Sequence, residues 1–156
     1  MPDNLSDILD PRCIELELTG KRKPELITEL VGALDRGAKV SDSKQLCREV
    51  LEREKLASTG IGSGIAIPHA LSSTVFETIM AFGLKLDGAR FDAVDKQPVS
   101  IFFLLVGPLG AHAEHLRVLS KLARYLHDRT FCQALLDARS KEEVTEALRK
   151  KEQSDP

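Results

Sequence analysis

His69 closes the stretch GIGSGIAIPHA (residues 60–70), in which Gly60, Gly62 and Gly64 alternate with Ile61 and Ser63 ahead of an apolar run and Pro68. A neutral imidazole presents one nitrogen lone pair, so it can serve as nucleophile, base or metal ligand. Pro68 fixes φ and removes a donor, which makes the approach to His69 stiff. Alternate glycines admit positive φ and a close backbone approach, the requirement of a tight turn or of an N–H concavity that holds an anion. Ser58, Thr59 and Ser63 add hydroxyl donors around the same turn. The G-x-G-x-G pattern follows a helical stretch, and it lacks the last glycine of a dinucleotide fingerprint and the Gly-Lys-Ser/Thr ending of a P-loop. A nucleotide site is therefore a poor fit. Taken alone, the stretch reads either as a structural turn or as an anion site at a histidine.

Two further residues stand out. His115 precedes Leu119, Leu122 and Leu126 by four, seven and eleven residues, so it shares their inward stripe on a helix. It is read as a core or rim residue, or as a donor at a helix start, where free N–H groups and the positive dipole end favour anions. His112, Glu114 and His115 could be taken for a metal pair, but no second matched pair accompanies them, and no metal is expected. Arg53 falls on the flank of an apolar helix face near the helix end, where a long cation lies along the core edge and presents its guanidinium at a rim.

These side chains need a scaffold, and 156 residues suffice for one domain with a real core. A net charge of −2 and a pI near 6.1 give no electrostatic reason to bind nucleic acid. Only 4% aromatic residues and no tryptophan leave few stacking platforms for bases, so nucleic acid is excluded as a partner. Cys13, Cys47 and Cys132 are odd in number, with no C-x-x-C, and are expected to be free thiols in a reducing compartment. The N-terminal MPDNLSDILDP is acidic, and the longest apolar stretch, IFFLLVGPLGA, is too short and too interrupted to span a bilayer. A cytoplasmic protein without membrane insertion and without a cofactor is expected.

Along the chain, Ile14, Leu16 and Leu18 alternate with polar residues as a half-buried strand ending at Gly20. Pro24 opens a helix whose inner face is Leu26, Ile27, Leu30, Val31 and Leu34, stopped by Gly37. Ser41, Asp42 and Ser43 are cap candidates for a second helix with Leu46, Cys47, Val50 and Leu51 inside. IAI before Pro68, TIMAFGLKL (78–86) and VSIFFLLV (99–106) read as strands, the last as a central one covered on both faces. Helices follow over 113–127, with Leu116, Leu119, Leu122, Ala123 and Leu126 inward, over 129–138, and at KEEVTEALRKK. The polar tail from about residue 150 is expected to fray. The order gives a single α/β domain spanning residues 1–156, a mixed β-sheet flanked by α-helices.

The stretch REKLASTGIGSGIAIPHA (53–70) resembles the signature of the type-2 EIIA domains of the bacterial phosphoenolpyruvate:sugar phosphotransferase system, which include fructose- and mannitol-type IIA domains and nitrogen-regulatory IIA proteins. LSDIL, FDAVDKQPVSIFFLLVGP (91–108), HLRVLSKLARYLHD (115–128) and ARSKEEVTEAL (138–148) match the layout of that family, so the similarity covers almost the whole chain. Ala70 stands where many of its members have glycine. The resemblance implies the mannitol-specific EIIA-like fold. It implies that His69 accepts a phosphoryl group from an HPr-type phosphocarrier protein, that Arg53 neutralises the phosphoryl charge, and that His115 is the second active-site histidine. Ser58, Thr59, Gly60, Gly62, Ser63 and Gly64 are then the candidates to hold phosphate, with Ile61, Ile65 and Leu71 as an apolar rim for the donor.

A phosphoryl carrier of the nitrogen-regulatory kind, acting on regulated target proteins, is the reading closest to the STGIGSGIAIPHA wording. A sugar-specific IIA that passes phosphate to a IIB cysteine is the alternative. A third reading, from a different class, is a binding module that keeps the fold and takes no phosphate. Uptake of one acid-labile phosphate separates it from the other two.

Overall fold

The nearly continuous apolar run at residues 99–108 becomes β6 (Val99–Pro108), whose side chains are buried on both faces. A computed structural model describes residues 4–93 and 95–156. Met1–Asp3, the start of the acidic N-terminal stretch, and Val94 lie outside the described residues. In chain order a 3-10 turn (Leu5–Asp7) leads into β1 (Leu9–Glu15), α1 (Lys23–Asp35), α2 (Ser43–Leu56), β2 (Gly60–Gly62), β3 (Ile65–Ala66), β4 (His69–Ser72) and β5 (Ile79–Ala89). After β6 come α3 (His112–Leu126), α4 (Arg129–Asp137) and α5 (Lys141–Ser154).

The six strands form one mixed sheet in the order β1-β5-β6-β3-β2, with β4 also paired to β6. β5 runs antiparallel to β6, whereas β3 and β4 run parallel to it, one beside its first half and the other beside its second. Alternation along β6 divides the core. Val99, Phe102, Leu104 and Val106 join the layer of α1 and α2, and Ile101, Phe103 and Leu105 join the layer of α3, α4 and α5. Each such fully buried side chain contributes about 1.5–3 kcal/mol.

The helices follow the apolar spacing. Leu26, Ile27, Leu30, Val31 and Leu34 are buried on α1, and the Asp42 carboxylate caps α2 by accepting from the Gln45 N–H. Three expectations change. First, the initial strand is Leu9–Glu15 and not a run to Gly20. β1 lies at the sheet edge, and its register with β5 shifts between Leu9 and Ile14, which accommodates Pro11. The Leu18 N–H still bonds the Leu84 carbonyl. Second, Leu116 points outward at 61% exposure, while Val118 and Tyr125 are the buried partners of Leu122 and Leu126. Third, the segment from residue 150 is not frayed: α5 continues to Ser154, and its buried Glu152 carboxylate accepts from the backbone N–H groups of Leu5 (2.6 Å) and Ser6 (2.9 Å). Cys13, Cys47 and Cys132 are free thiols. No helix is long and apolar enough to cross a membrane among the described residues.

Candidate active site

His69 opens β4, opposite Leu105 on β6, and Leu71 lies opposite Gly107. The Pro68 carbonyl accepts from the Leu105 N–H, so the approach to His69 is already locked to the sheet. Two residues back, the Ile67 carbonyl lies 2.8 Å from His69 Nδ1. On the other side of the ring, Arg53 Nη2 stands 3.3 Å from Nε2. A guanidinium can only donate, so Nε2 must be the acceptor and the proton must sit on Nδ1, given to Ile67. The network thus fixes a neutral His69 with its lone pair on Nε2. Burial lowers the pKa of His69, the Arg53 charge adds to this, and the Ile67 carbonyl opposes both.

Arg53 comes from the far layer. It sits in the last turns of α2, and its side chain rounds the sheet edge at β4, with Nη1 donating to the Ala57 carbonyl at the helix end. The next residue, Glu54, holds this corner in place. Its buried carboxylate accepts from the Thr59 N–H (2.8 Å) and hydroxyl (2.7 Å) and pairs with Lys23 (3.2 Å). The Thr59 carbonyl in turn accepts from Ile67 N–H, the residue whose own carbonyl orients His69. A chain of bonds therefore runs from α2 to the imidazole.

His115 enters from the layer of α3. Its helix starts after a three-residue connection from β6, and the N-cap position, Ala111, provides no side-chain cap. The ring lies 5.5 Å from that of His69, centroid to centroid, tilted by 49°. Glycine at residue 107 leaves room for this approach, because a Cβ there would stand a tight 3.3 Å from both His115 Nδ1 and Leu71 Cδ2. Burial lowers the pKa of His115 to about 4, with the charges of His69, His112 and Arg53 acting in the same direction. The second histidine is neutral at physiological pH.

The three residues singled out in the sequence thus meet, and the glycine run does not join them. Gly62, Ser63 and Gly64 make the turn between β2 and β3, all at positive φ (93°, 57° and 79°). The Ser63 N–H is bonded to Asp95. β3 meets β6 at Ile101 and β4 meets it at Leu105, so the turn lies some four strand residues, about 13 Å, from His69. The Gly60 N–H goes to Ser58 Oγ, whose proton goes to the Phe91 carbonyl. Thr59 is engaged by Glu54. Of the six expected phosphate donors, the Ser58 and Thr59 hydroxyls and the N–H groups of Thr59, Gly60 and Ser63 are bonded within the hairpin and its supports. Gly60 is glycine because a Cβ there would lie 2.8 Å from the Ala93 Cα. Of the expected apolar rim, Ile61 is exposed, Leu71 is half-buried and Ile65 is buried.

Glu54 and the Ile67 carbonyl were not singled out in the sequence. Glu54 carries a legible signal, since a carboxylate in the last turn of a helix opposes the macrodipole and requires a partner. A nitrogen lone pair flanked by a guanidinium and a neutral second imidazole suits attack on an anionic electrophile such as a phosphoryl group.

Comparison with known proteins identifies the family. The family model of the phosphoenolpyruvate-dependent sugar phosphotransferase system, EIIA 2, matches residues 7–151. A nitrogen regulatory protein of Klebsiella oxytoca is 37% identical over 92% of this chain and 89% of that protein. A fructose-specific EIIABC component of Bacillus subtilis is 34% identical over 92% of this chain, which spans only 23% of that longer protein. The crystal structure of the nitrogen regulatory protein IIA-Ntr from Neisseria meningitidis superposes with a TM-score of 0.85 at 35% identity, covering 92% of this chain and 98% of that one. With its mixed sheet between helices, its sequence across residues 7–151 and the fold of a nitrogen regulatory IIA protein in agreement, the chain belongs to the EIIA type-2 family, a component of the phosphoenolpyruvate-dependent phosphotransferase system.

Proposed function

We propose that the protein is a phosphoryl carrier in which His69 Nε2 takes the phosphoryl group from an HPr-type phosphocarrier protein. The observation that carries this reading is the donor–acceptor order around one ring, Arg53 on Nε2 and Ile67 on Nδ1. The lone pair of Nε2 attacks phosphorus, an N–P bond forms, and the bond to the donor's leaving atom breaks, its electron pair staying with the donor. No base is needed, since Nε2 carries no proton in this tautomer. Arg53 leaves the lone pair as the electrophile arrives and binds phosphoryl oxygens in its place, its forked N–H groups matching two of them. His115, neutral and close by, donates one N–H to another oxygen. Ser58 and Thr59 act through the supports of the loop and not on the phosphate.

The phosphohistidine serves a nitrogen-regulatory role, changing the charge on one surface and thereby the binding of regulated target proteins. The 37% identity to a nitrogen regulatory protein over 89% of its length favours this destination. The 34% match to a fructose-specific EIIABC component favours the alternative, delivery to a IIB cysteine for sugar uptake. Incubation with phosphoenolpyruvate, enzyme I and HPr, followed by intact mass, should add one acid-labile phosphoryl group. Absence of that gain would leave a binding module. Adding a IIB domain then separates the destinations, because only the sugar-specific carrier discharges onto it.

A further inference from the structure

Two polar atoms near Gly107 are buried without a hydrogen-bond partner among the described residues, Thr78 Oγ1 and His115 Nδ1. Their residues are 4% and 6% exposed, and such atoms are costly to leave unpaired. They flank one spot. A Cβ on Gly107 would stand 3.3 Å from His115 Nδ1 and 3.6 Å from Thr78 Oγ1. The sheet places them there by register: Ile79 of β5 pairs with Val106, which brings Thr78 beside Gly107. The third neighbour of that spot, Leu71 Cδ2, is apolar and can serve neither atom.

We propose that a small rotation of the Thr78 side chain closes a hydrogen bond from its hydroxyl to Nδ1 of His115, and that Thr78 is a positioning residue for phosphoryl transfer. The proposal rests on the reading of His69 as acceptor. The direction of the bond follows from the chemistry. A hydroxyl is both donor and acceptor, whereas neutral imidazole has one nitrogen of each kind. With Thr78 donating, Nδ1 is the acceptor, and the His115 proton sits on Nε2, the nitrogen left to serve the phosphoryl group. With the opposite order, Nε2 would turn a lone pair toward phosphoryl oxygens and repel them. Thr78 thus acts through His115 and does not touch the phosphate.

The test combines nitrogen-15 spectra of histidine-labelled protein with transfer kinetics from phospho-HPr. The wild type should show His115 with Nε2 protonated and Nδ1 as a hydrogen-bonded acceptor. Thr78→Val removes the hydroxyl at nearly constant volume. It should move the His115 Nδ1 resonance toward that of a free acceptor and slow transfer about tenfold, the scale of one hydrogen bond relayed to a charged group. Thr78→Ser should restore both. Thr78→Ala, which removes the hydroxyl without adding bulk, gives the same two changes and serves if Thr78→Val does not fold. An unmoved Nδ1 resonance in both variants, a wild-type His115 protonated on Nδ1, or an unchanged transfer rate overturns the proposal. If the wild type takes no phosphate, the reading of His69 fails separately, and the Nδ1 resonance still decides the contact.

Discussion

Arg53 Nη2 donates to His69 Nε2 across 3.3 Å, so the resting protein covers the lone pair that has to attack. The same contact excludes the wrong tautomer and stations a cation where negative charge will arrive. Arg53→Ala should therefore slow transfer from phospho-HPr about 100-fold, the scale of losing one preorganised donor. Arg53→Lys should recover little, since a point charge does not reproduce the fork. The His69 titration midpoint should rise in Arg53→Ala, because the Arg53 charge lowers it. Rapid-quench kinetics and histidine NMR check both, and an unmoved midpoint with an unchanged rate would contradict the assignment.

Glu54 is predicted to matter for stability more than its place in the last turn of a helix suggests. Glu54→Ala leaves the buried Thr59 N–H and hydroxyl without their acceptor and Lys23 without its partner. The cost should be about 3–5 kcal/mol, as for breaking a buried pair by removing one side of it. Urea unfolding measures it. A loss below about 1 kcal/mol would place Glu54 among exposed surface pairs.

The imidazoles of half-buried His69 and buried His115 make stability depend on pH. His69 and His115 both have folded-state pKa values below the ordinary 6.5, that of His115 about 4. The unfolded chain therefore binds more protons between those values, so stability is complete above about pH 6.5 and is lost as pH falls toward about 4. The lowered carboxylates Asp10, Asp95 and Asp128 start from 3.8 and act below this window. His115→Gln should flatten the urea midpoint between pH 6.5 and 4, and an unaltered slope would show that His115 is not buried as a neutral group.

Gly60→Ala should destabilise through sterics, since its added carbon lies 2.8 Å from both Cα and Cβ of Ala93. Overpacking of this kind costs about 1–3 kcal/mol. Thermal unfolding reads the cost, and a neutral effect would mean that the segment after Phe91 yields freely.

Local signals raised His69, Arg53 and His115 as candidates (a proline before a histidine, a cation on a helix flank, a histidine in an apolar stripe), and the resemblance of residues 53–70 to the EIIA type-2 signature joined them into one expected site. The central position of β6 was equally plain from its unbroken apolar run. The role of the glycines was not. Alternate glycines look the same whether they cradle an anion or turn a hairpin, and only the pairing of β3 with β6 separates the turn from His69. Glu152 reads as a tail residue because its partners, the N–H groups of Leu5 and Ser6, lie at the other end of the chain. Thr78 gave no signal at all, since its neighbour His115 is far along the chain and is brought in by α3.

The most direct measurement is intact mass of the wild type and of His69→Ala after incubation with phosphoenolpyruvate, enzyme I and HPr. His69 is half-buried at a strand start, so the variant should fold as the wild type does, which circular dichroism checks. The account predicts one acid-labile phosphoryl group on the wild type and none on His69→Ala. A His69→Ala protein labelled at the wild-type rate would place the acceptor elsewhere and contradict the account.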